Sequence, residues 1–370
     1  MFGDRGVGKT SLANILKDAL HGQDSIEVAK INCNENDSYL DSWRRALAEI
    51  TMLVEGANEK DGSSPTEYVL SQWLEGLPKV GSGEIKKILN HKCSEAHDLV
   101  IIFDEVDRLG IEQRRLFADT IKDLSDSSTH ATIMLIGVAH TITDLIEEHK
   151  SIERCIAQIW MPPMAKYELR EIIDTGLRSL GMTIDRVAKD IIVSLSRGYP
   201  YYTHLLCNEA INKAIRNKAR SVEKSDLNGA IKQSIANAVA SVQEDYSKAA
   251  DGQRKGTKYP IVLLASALAD TDDLGYFRPF DLKAHKQAEG EKRLAQDYSE
   301  HLNKLATDPT RGNVLERRGT ARKYKFRFRN PLLKPYIIMK GIDEGLVGGG
   351  LLEGLSQEKK PPTTLFDDFA

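Results

Sequence analysis

Near its start the chain carries Gly3-Asp4-Arg5-Gly6-Val7-Gly8-Lys9-Thr10-Ser11, whose first eight residues satisfy the pattern G-x-x-x-x-G-K-[ST]. Glycines let the backbone N–H groups wrap around phosphates, and the helix that follows presents its positive end to the same anion. We therefore expect this stretch to bind ATP, with Lys9 on the β and γ phosphates and the Thr10 hydroxyl on Mg²⁺. An ordinary glycine-rich turn that carries a lysine is the alternative.

A second motif follows a short apolar run, Leu99–Phe103, which is typical of a strand buried on both faces of a parallel sheet. The run leads into Asp104 and Glu105. An aspartate at the carboxyl end of a parallel strand lies where ligands bind in such sheets, and it can hold the Mg²⁺ shell. Glu105 is the natural base for a water that attacks the γ phosphate. Alone, the two carboxylates could form an exposed turn; beside the glycine-rich loop they predict an ATP-hydrolysing site.

Periodicity and composition divide the chain into five segments. Strands alternate with helices over residues 1–163, which predicts an α/β core with a parallel sheet. Residues 164–242 are helical in period and form the predicted α-helical lid, and residues 243–258 have the polar, glycine-containing composition of a linker. Helical stretches and an alternating strand predict a C-terminal winged helix over residues 259–342, followed by a flexible tail, 343–370.

The start of the chain departs from what such a core requires. Only Met1 and Phe2 precede Gly3. We therefore expect the strand that leads into the loop to be missing, as in a fragment or a truncated gene product. Its loss would leave neighbouring strands unpaired.

Composition excludes several classes of protein. With 41% hydrophobic and 28% charged residues and a net charge of -3, the chain reads as a globular protein and not as a disordered or strongly basic one. The most apolar stretch, Ile261–Ala269, is about half the length of a bilayer span. With no secretory signal and scattered cysteines, the sequence predicts a cytoplasmic protein without a membrane segment.

Several strings resemble one known family. IIFDEVDRL, Ile101–Leu109, is similar to the Walker B segment of the origin-recognition and initiator clade of AAA+ ATPases. LIGVAHT (135–141), HKSIER (149–154), IWMPPMAKYELREII (159–173) and SRGYPYYTHLL (196–206) resemble the same clade and its transposition-regulator and STAND-type relatives. The resemblance covers about Gly3–Ala240 closely and the winged helix more loosely.

The resemblance implies further site residues. His140 or Thr141 would be the polar sensor that orients the attacking water, or else a residue that caps a strand. Arg154 resembles the arginine finger that one subunit donates to its neighbour's ATP, which implies an assembly of like subunits. Alternatively, Arg154 pairs with Glu147 or Glu148 on the surface.

The predicted lid departs from the initiator pattern. That clade usually carries an arginine as its second sensor, whereas this chain has Gly198-Tyr199-Pro200-Tyr201 at the comparable place. The arrangement resembles STAND switches, in which the proline packs near the nucleotide. Pro200 at the first position of a helix is the alternative.

The C-terminal region contains a strongly basic stretch. Ten Lys or Arg residues against one acidic residue, Glu316, lie between Arg311 and Lys340. In Tyr324–Arg329 aromatic and cationic residues alternate, so we expect the cations to face outward and contact the phosphates of double-stranded DNA. The candidates are Arg317, Arg318, Arg322, Lys325, Arg327 and Arg329. A solvated strand face, or a surface packed on another domain, is the alternative.

Together these patterns predict an ATP-driven switch that assembles with like subunits and engages DNA or a protein partner. Two alternatives remain open from the sequence. One is a non-hydrolysing, nucleotide-dependent scaffold in signalling or defence. The other is a DNA-binding regulator whose phosphate-binding loop is vestigial.

Overall fold

The computed structural model describes most of the chain in two compact units. The described residues are 1–21, 23, 25–54, 66–77, 80–93, 98–127, 129–139, 152, 154–250, 257–272, 274–282, 295–320 and 323–346. One unit consists of Met1–Asp4 with Gly8–Pro162, and the other of Arg5–Val7 with the residues from Pro163 onward. Within the described ranges, no helix has the length and apolar character needed to cross a bilayer.

The first unit alternates strands and helices. Its elements are β1 (Phe2–Gly3), α1 (Lys9–His21), β2 (Ile26–Asn32), α2 (Tyr39–Ala48), β3 (Thr51–Val54), β4 (Thr66–Val69), α3 (Ser82–Lys92), β5 (Asp98–Asp104), α4 (Ile111–Ser125), β6 (Ala131–Leu135), β7 (Gly137–Val138) and β8 (Trp160–Met161). Strands β2, β5 and β6 pair in parallel with β5 in the middle, and β7, β1 and β8 pair in parallel with β1 in the middle. The α/β core with parallel strands is therefore confirmed.

A short strand precedes the glycine-rich loop, where the sequence led us to expect none. Phe2 pairs with Gly137 on one side and with Trp160 on the other. The Met1 ammonium donates to the Leu135 carbonyl oxygen at 2.7 Å, and Phe2 N–H donates to Ile159 O at 2.9 Å. Neighbours on both sides satisfy the backbone of these first residues, which explains why so short a segment is extended.

Strand β5 separates two apolar layers because successive side chains of a strand point to opposite faces. Phe103 packs edge-to-face against Trp43 of α2 and Phe117 of α4, with ring centroids 5.0 and 4.7 Å apart. On the other face, Ile102 belongs to a smaller cluster with Ala13 of α1. Asp104 follows Ile102 by two residues and so points to the α1 face, at the end of the strand.

The second unit is mainly helical. Its elements are α5 (Lys166–Ser179), β9 (Thr183–Ile184), α6 (Arg186–Ser196), α7 (Pro200–Arg216), β10 (Ser221–Val222), α8 (Leu227–Ala236), α9 (Ala240–Ala250), α10 (Tyr259–Leu268), α11 (Ala295–Thr307), β11 (Leu315–Arg318), β12 (Lys325–Phe328) and α12 (Leu333–Asp343). Strands β9 and β10 are parallel, whereas β11 and β12 form an antiparallel hairpin.

The predicted lid and the C-terminal region belong to this one unit. Tyr202 of α7 donates a buried hydrogen bond to Leu332 O at 2.7 Å. The ring of Tyr246 in α9 lies 5.4 Å from that of Tyr336 in α12. Part of the stretch predicted as a linker, 243–258, is therefore helical and packed, since α9 buries Tyr246 in this contact.

The turn between α6 and α7 has a local reason for its glycine. Gly198 has φ +87, and a Cβ at this position would lie 2.6 Å from the Pro163 Cβ. The Gly198 carbonyl accepts a hydrogen bond from Met164 N–H at 2.9 Å. A positive φ and close backbone approach both favour glycine. Pro200 then occupies the first turn of α7, where proline is well tolerated.

Candidate nucleotide-binding site

The glycine-rich loop connects β1 to α1, and its positions require glycine for different reasons. Gly6 has φ +83 and Gly8 has φ +101, conformations that side-chain-bearing residues rarely adopt. At Gly3, a Cβ would lie 2.3 Å from the Met161 carbonyl oxygen of β8. The motif therefore specifies both the shape of the loop and its close approach to the sheet.

Lys9 is the first residue of α1, and its side chain turns back on the loop. The residue is only 8% exposed, and Nζ donates to Gly3 O at 2.9 Å and to Asp4 O at 2.7 Å. Burial lowers the pKa of the ammonium, an effect opposed by the charges of Asp107, Asp4 and Asp104. The loop's own carbonyl groups thus hold a cation at the place where the motif predicts a phosphate.

The remaining residues of the loop differ in exposure. Thr10 and Ser11 are exposed in the first turn of α1, where N–H groups lack partners within the helix. Asp4 is partly buried directly after β1, and Arg5 is exposed. Arg5–Val7 are grouped with the second compact unit.

Asp104 ends β5 as a deeply buried carboxylate. It is 2% exposed, and Oδ1 accepts a hydrogen bond from Glu105 N–H at 2.9 Å. Oδ2 is buried and has no hydrogen-bond donor among the described residues. The Lys30 ammonium of β2 lies 3.4 Å from Oδ2. A buried carboxylate oxygen without a donor is a candidate metal ligand.

Magnesium fits this set of atoms. It prefers hard oxygen ligands and is usually held by one or two protein oxygens, with water and substrate phosphates completing its shell. Asp104 Oδ2 and the exposed Thr10 hydroxyl are oxygens of this kind. These two groups would hold Mg²⁺, as the sequence predicts.

Glu105 follows the last residue of β5 and has a left-handed backbone conformation, with φ 59 and ψ 37, so the chain leaves the strand here. The residue is exposed, and its Oε2 accepts a hydrogen bond from Arg108 Nη1 at 3.0 Å. An exposed ion pair of this kind is worth little free energy. Glu105 is therefore free to exchange Arg108 for water, which a general base requires.

Sequence reasoning missed two residues of this edge of the sheet. Lys30 reaches Asp104 because β2 and β5 are parallel neighbours, with Lys30 opposite Ile102 and Asn32 opposite Asp104. The signal in the sequence was a lysine inside the otherwise apolar stretch Val28–Ile31. Asp107 was quoted within its motif without a role; its Oδ1 accepts a hydrogen bond from Val138 N–H at 2.8 Å.

The residues carried over from the family are only partly described. His140, Thr141, Glu147 and Glu148 lie outside the described residues. Arg154 is exposed in the first unit. The roles of His140, Arg154 and Pro200 therefore stay predictions.

The basic hairpin corrects one prediction. Arg327 does not face outward: it is 5% exposed, Nε donates to Glu316 Oε2 at 3.0 Å, and the guanidinium lies 4.6 Å from the centre of the Tyr276 ring. The register of the hairpin places Arg327 opposite Glu316. In addition, Phe277 pairs with Phe326, which brings the neighbouring Tyr276 to this hairpin. Arg327 is thus an internal residue.

The other hairpin cations are exposed where they are described. Arg317 donates to Asn303 Oδ1 at 2.8 Å, Arg318 to Glu316 Oε1 at 3.0 Å and Lys325 to Asp272 Oδ2 at 3.0 Å. Arg329 is exposed directly after β12. Arg322 lies outside the described residues.

One family model matches a stretch that contains both the loop and the Asp104 strand. Residues 1–146 match the family model described as an AAA domain. A comparison with curated proteins gave no significant match.

Solved structures give low-identity matches. A Thermotoga maritima RuvB Holliday junction branch migration motor is 18% identical, with a TM-score of 0.37, covering 63% of this chain and 60% of that one. A Pyrobaculum aerophilum Cdc6p structure is 12% identical, with a TM-score of 0.42 and coverage of 94% and 87%. An Aeropyrum pernix ORC1 protein in complex with DNA is 14% identical, with a TM-score of 0.41 and coverage of 93% and 86%. The chain therefore spans about 60% of the length of the RuvB structure.

The family match covers both motifs, and the described geometry explains them. The glycine-rich loop turns into α1 at Lys9, and Asp104 closes the central strand β5 beside it. Residues 1–146, which contain both motifs, are therefore similar to an AAA domain.

Proposed function

We propose that this chain binds Mg–ATP and hydrolyses it. Two observations carry the proposal. The loop holds a cation, Lys9, and a buried carboxylate, Asp104, has an Oδ2 that lacks a hydrogen-bond donor among the described residues. Lys9 begins α1, and Asp104 ends β5 on the face of the sheet that α1 covers. This is the charge pattern that a metal-bound polyphosphate requires.

Each residue has one task in the proposed reaction. Lys9 exchanges the carbonyl oxygens of Gly3 and Asp4 for phosphate oxygens. Thr10 and Asp104 hold the magnesium, which supplies charge neutralisation of the phosphates when bound. Glu105 leaves Arg108 and accepts a proton from the attacking water.

We further propose that the chain works in an assembly of like subunits. Arg154 is exposed, so it is available to a neighbour's nucleotide, where its charge would stabilise the transition state. His140 would orient the water, and Pro200 would lie near the nucleotide, as the family resemblance implies. Nucleotide turnover would then switch the arrangement of subunits or domains.

Steady-state ATP turnover tests the catalytic assignment. Lys9→Ala should weaken ATP binding and abolish turnover. Glu105→Gln should retain binding and slow turnover by about 100-fold or more, the usual contribution of a general base. Equal turnover in wild type and Glu105→Gln would refute the role of Glu105. Binding without turnover in the wild type would favour the nucleotide-dependent scaffold instead.

A second candidate function is DNA binding by the C-terminal hairpin. The exposed cations Arg317, Arg318, Lys325 and Arg329 favour it, because exposed guanidinium and ammonium groups contact phosphates. Removing Arg317 and Arg329 together should weaken binding to duplex DNA of any sequence. The slope of log affinity against log salt concentration should also become shallower by about 2, because two phosphate contacts are lost. Unchanged affinity would assign the hairpin to contacts with protein.

A further inference from the structure

Lys30 is a cation inside the candidate magnesium site that the proposed mechanism does not use. It lies on β2, two residues before Asn32, which is opposite Asp104 in the parallel register. Because strand side chains alternate, Lys30, Asn32 and Asp104 share one face of the sheet. The register therefore brings the Lys30 side chain to the same end of the sheet as the Asp104 carboxylate.

The Lys30 side chain is nearly as buried as its partner. It is 8% exposed, and its Nζ lies 3.1 Å from Asn32 Oδ1 and 3.4 Å from Asp104 Oδ2. A lysine at such a depth is rare unless it is paired. Its partner is the carboxylate that would otherwise be buried with its charge uncompensated.

The two oxygens of Asp104 have different surroundings. Oδ1 is occupied by Glu105 N–H. Oδ2 has Lys30 beside it, without a hydrogen bond, and is also the oxygen available to a metal ion. A divalent cation at Oδ2 would therefore approach a fixed ammonium and be repelled by it.

We propose that Lys30 is a positioning residue that makes magnesium binding depend on nucleotide. Without ligand, its charge neutralises Asp104 and keeps free Mg²⁺ from the site. The negative phosphates of ATP offset the repulsion, so the site accepts magnesium together with nucleotide. This inference rests on the proposed binding of Mg–ATP.

The test uses the full chain without nucleotide and follows thermal unfolding in chelator and in magnesium. In the wild type, magnesium alone should leave Tm within about 1 °C of its value in chelator, because a ligand that does not bind cannot stabilise. Lys30→Met should unfold at a lower temperature in chelator, and magnesium alone should raise its Tm by about 2–4 °C. Lys122→Met on the exposed side of α4 is the matched control and should behave as the wild type.

Further variants separate a role of charge from a role of packing. Lys30→Arg keeps the charge and should stay insensitive to magnesium alone. The double variant Lys30→Met, Asp104→Asn should lose the magnesium response, because the neutral amide lacks the negative charge that attracts the ion. Should Lys30→Met not fold, Lys30→Gln replaces it. A Lys30→Met or Lys30→Gln chain whose Tm ignores magnesium would overturn the inference.

Nucleotide binding gives the second readout. The magnesium concentration for half-maximal binding of a fluorescent ATP analogue should fall about tenfold in Lys30→Met, as expected when one close like charge is removed. An unchanged or higher concentration would contradict the inference. A wild-type chain that binds no nucleotide would overturn the proposed function instead, and the two failures are therefore distinguishable.

Discussion

At the scale of single residues, Arg327 and Glu316 show how the C-terminal hairpin tolerates an internal charge. Glu316 Oε2 accepts from Arg327, and Glu316 Oε1 accepts from Tyr276 at 2.7 Å. Burial alone would raise the pKa of Glu316, but the hydrogen bonds from Tyr276 and Arg327 and the charges of Arg327 and Arg318 outweigh it and lower the pKa to about 2. The ionised carboxylate is thus part of the hairpin's structure.

This pair predicts a pH-dependent stability. Because the pKa of Glu316 falls from 4.5 to about 2 on folding, its contribution is present above pH 4.5 and is lost as the pH falls toward 2. At neutral pH, Glu316→Gln should lower the free energy of unfolding by about 2 kcal/mol, since it removes hydrogen bonds to a charged group. Urea denaturation should show a smaller difference between variant and wild type at about pH 3. A difference that does not change with pH would contradict the pairing.

Residues differ in how far the sequence alone could place them. Short local motifs were enough to place Lys9 on the glycine-rich loop, and Asp104 and Glu105 at the end of β5. Lys30 was missed because its contact with Asp104 arises from the register of two strands far apart in sequence. Arg327 was misplaced because alternation shows which residues share a face, not what covers that face.

At the scale of elements, the turn at Gly198 connects α6 and α7, and its Gly198 carbonyl accepts a hydrogen bond from Met164 N–H. A side chain here would meet Pro163 and would have to adopt φ +87. Gly198 therefore determines both the conformation of this turn and its packing against Pro163 and Met164, which precede α5.

Gly198→Ala should be destabilising, whereas Gly229→Ala should not. The first change forces a strained φ and a Cβ contact of 2.6 Å, and should cost at least about 2 kcal/mol of unfolding free energy. The second lies in α8 with open space around its Cβ position, and should gain about 0.5–1 kcal/mol from helix propensity. Denaturant unfolding of both variants beside the wild type measures the contrast; equal stability of the two would contradict the described turn.

The elements themselves were only partly predictable. The parallel α/β core followed from alternating helical and apolar strand patterns. Part of helix α9, Ala240–Ala250, was predicted to be linker because most of its residues are polar. Only three of its residues are buried, Val242, Tyr246 and Ala249, and this is too few to mark an apolar face in the sequence. The strand β1 was not expected because two residues are too few for any periodicity, and only pairing on both sides defines it.

At the scale of the whole molecule, the proposed assembly makes one subunit's site depend on another subunit. Arg154→Ala should retain its own nucleotide binding and lose turnover by about 1000-fold, as expected for an arginine finger. Lys9→Ala binds nucleotide weakly and does not turn it over, but it still presents Arg154. The two variants therefore lack complementary parts of one shared site.

Mixing these two inactive variants tests whether the site is shared. An equimolar mixture should turn over ATP faster than the sum of the separate variants, because Lys9→Ala subunits supply Arg154 to intact sites. A mixture with only the summed activity would assign Arg154 to its own subunit or to local ion pairs. Dilution should abolish the recovered activity, since it depends on assembly.

Calorimetric titration of Mg–ATP into the full chain tests the central claim most directly, because it measures binding at Lys9 and Asp104 without requiring turnover. The wild type should bind one nucleotide per chain, whereas Lys9→Ala should lose at least about 2 kcal/mol of binding free energy, the size of a lost charged hydrogen bond. Lys17→Met, on the same helix and with a side chain that pairs with Glu49 outside the candidate site, should bind as the wild type does. Equal binding by wild type and Lys9→Ala, or no binding by either, would contradict the account.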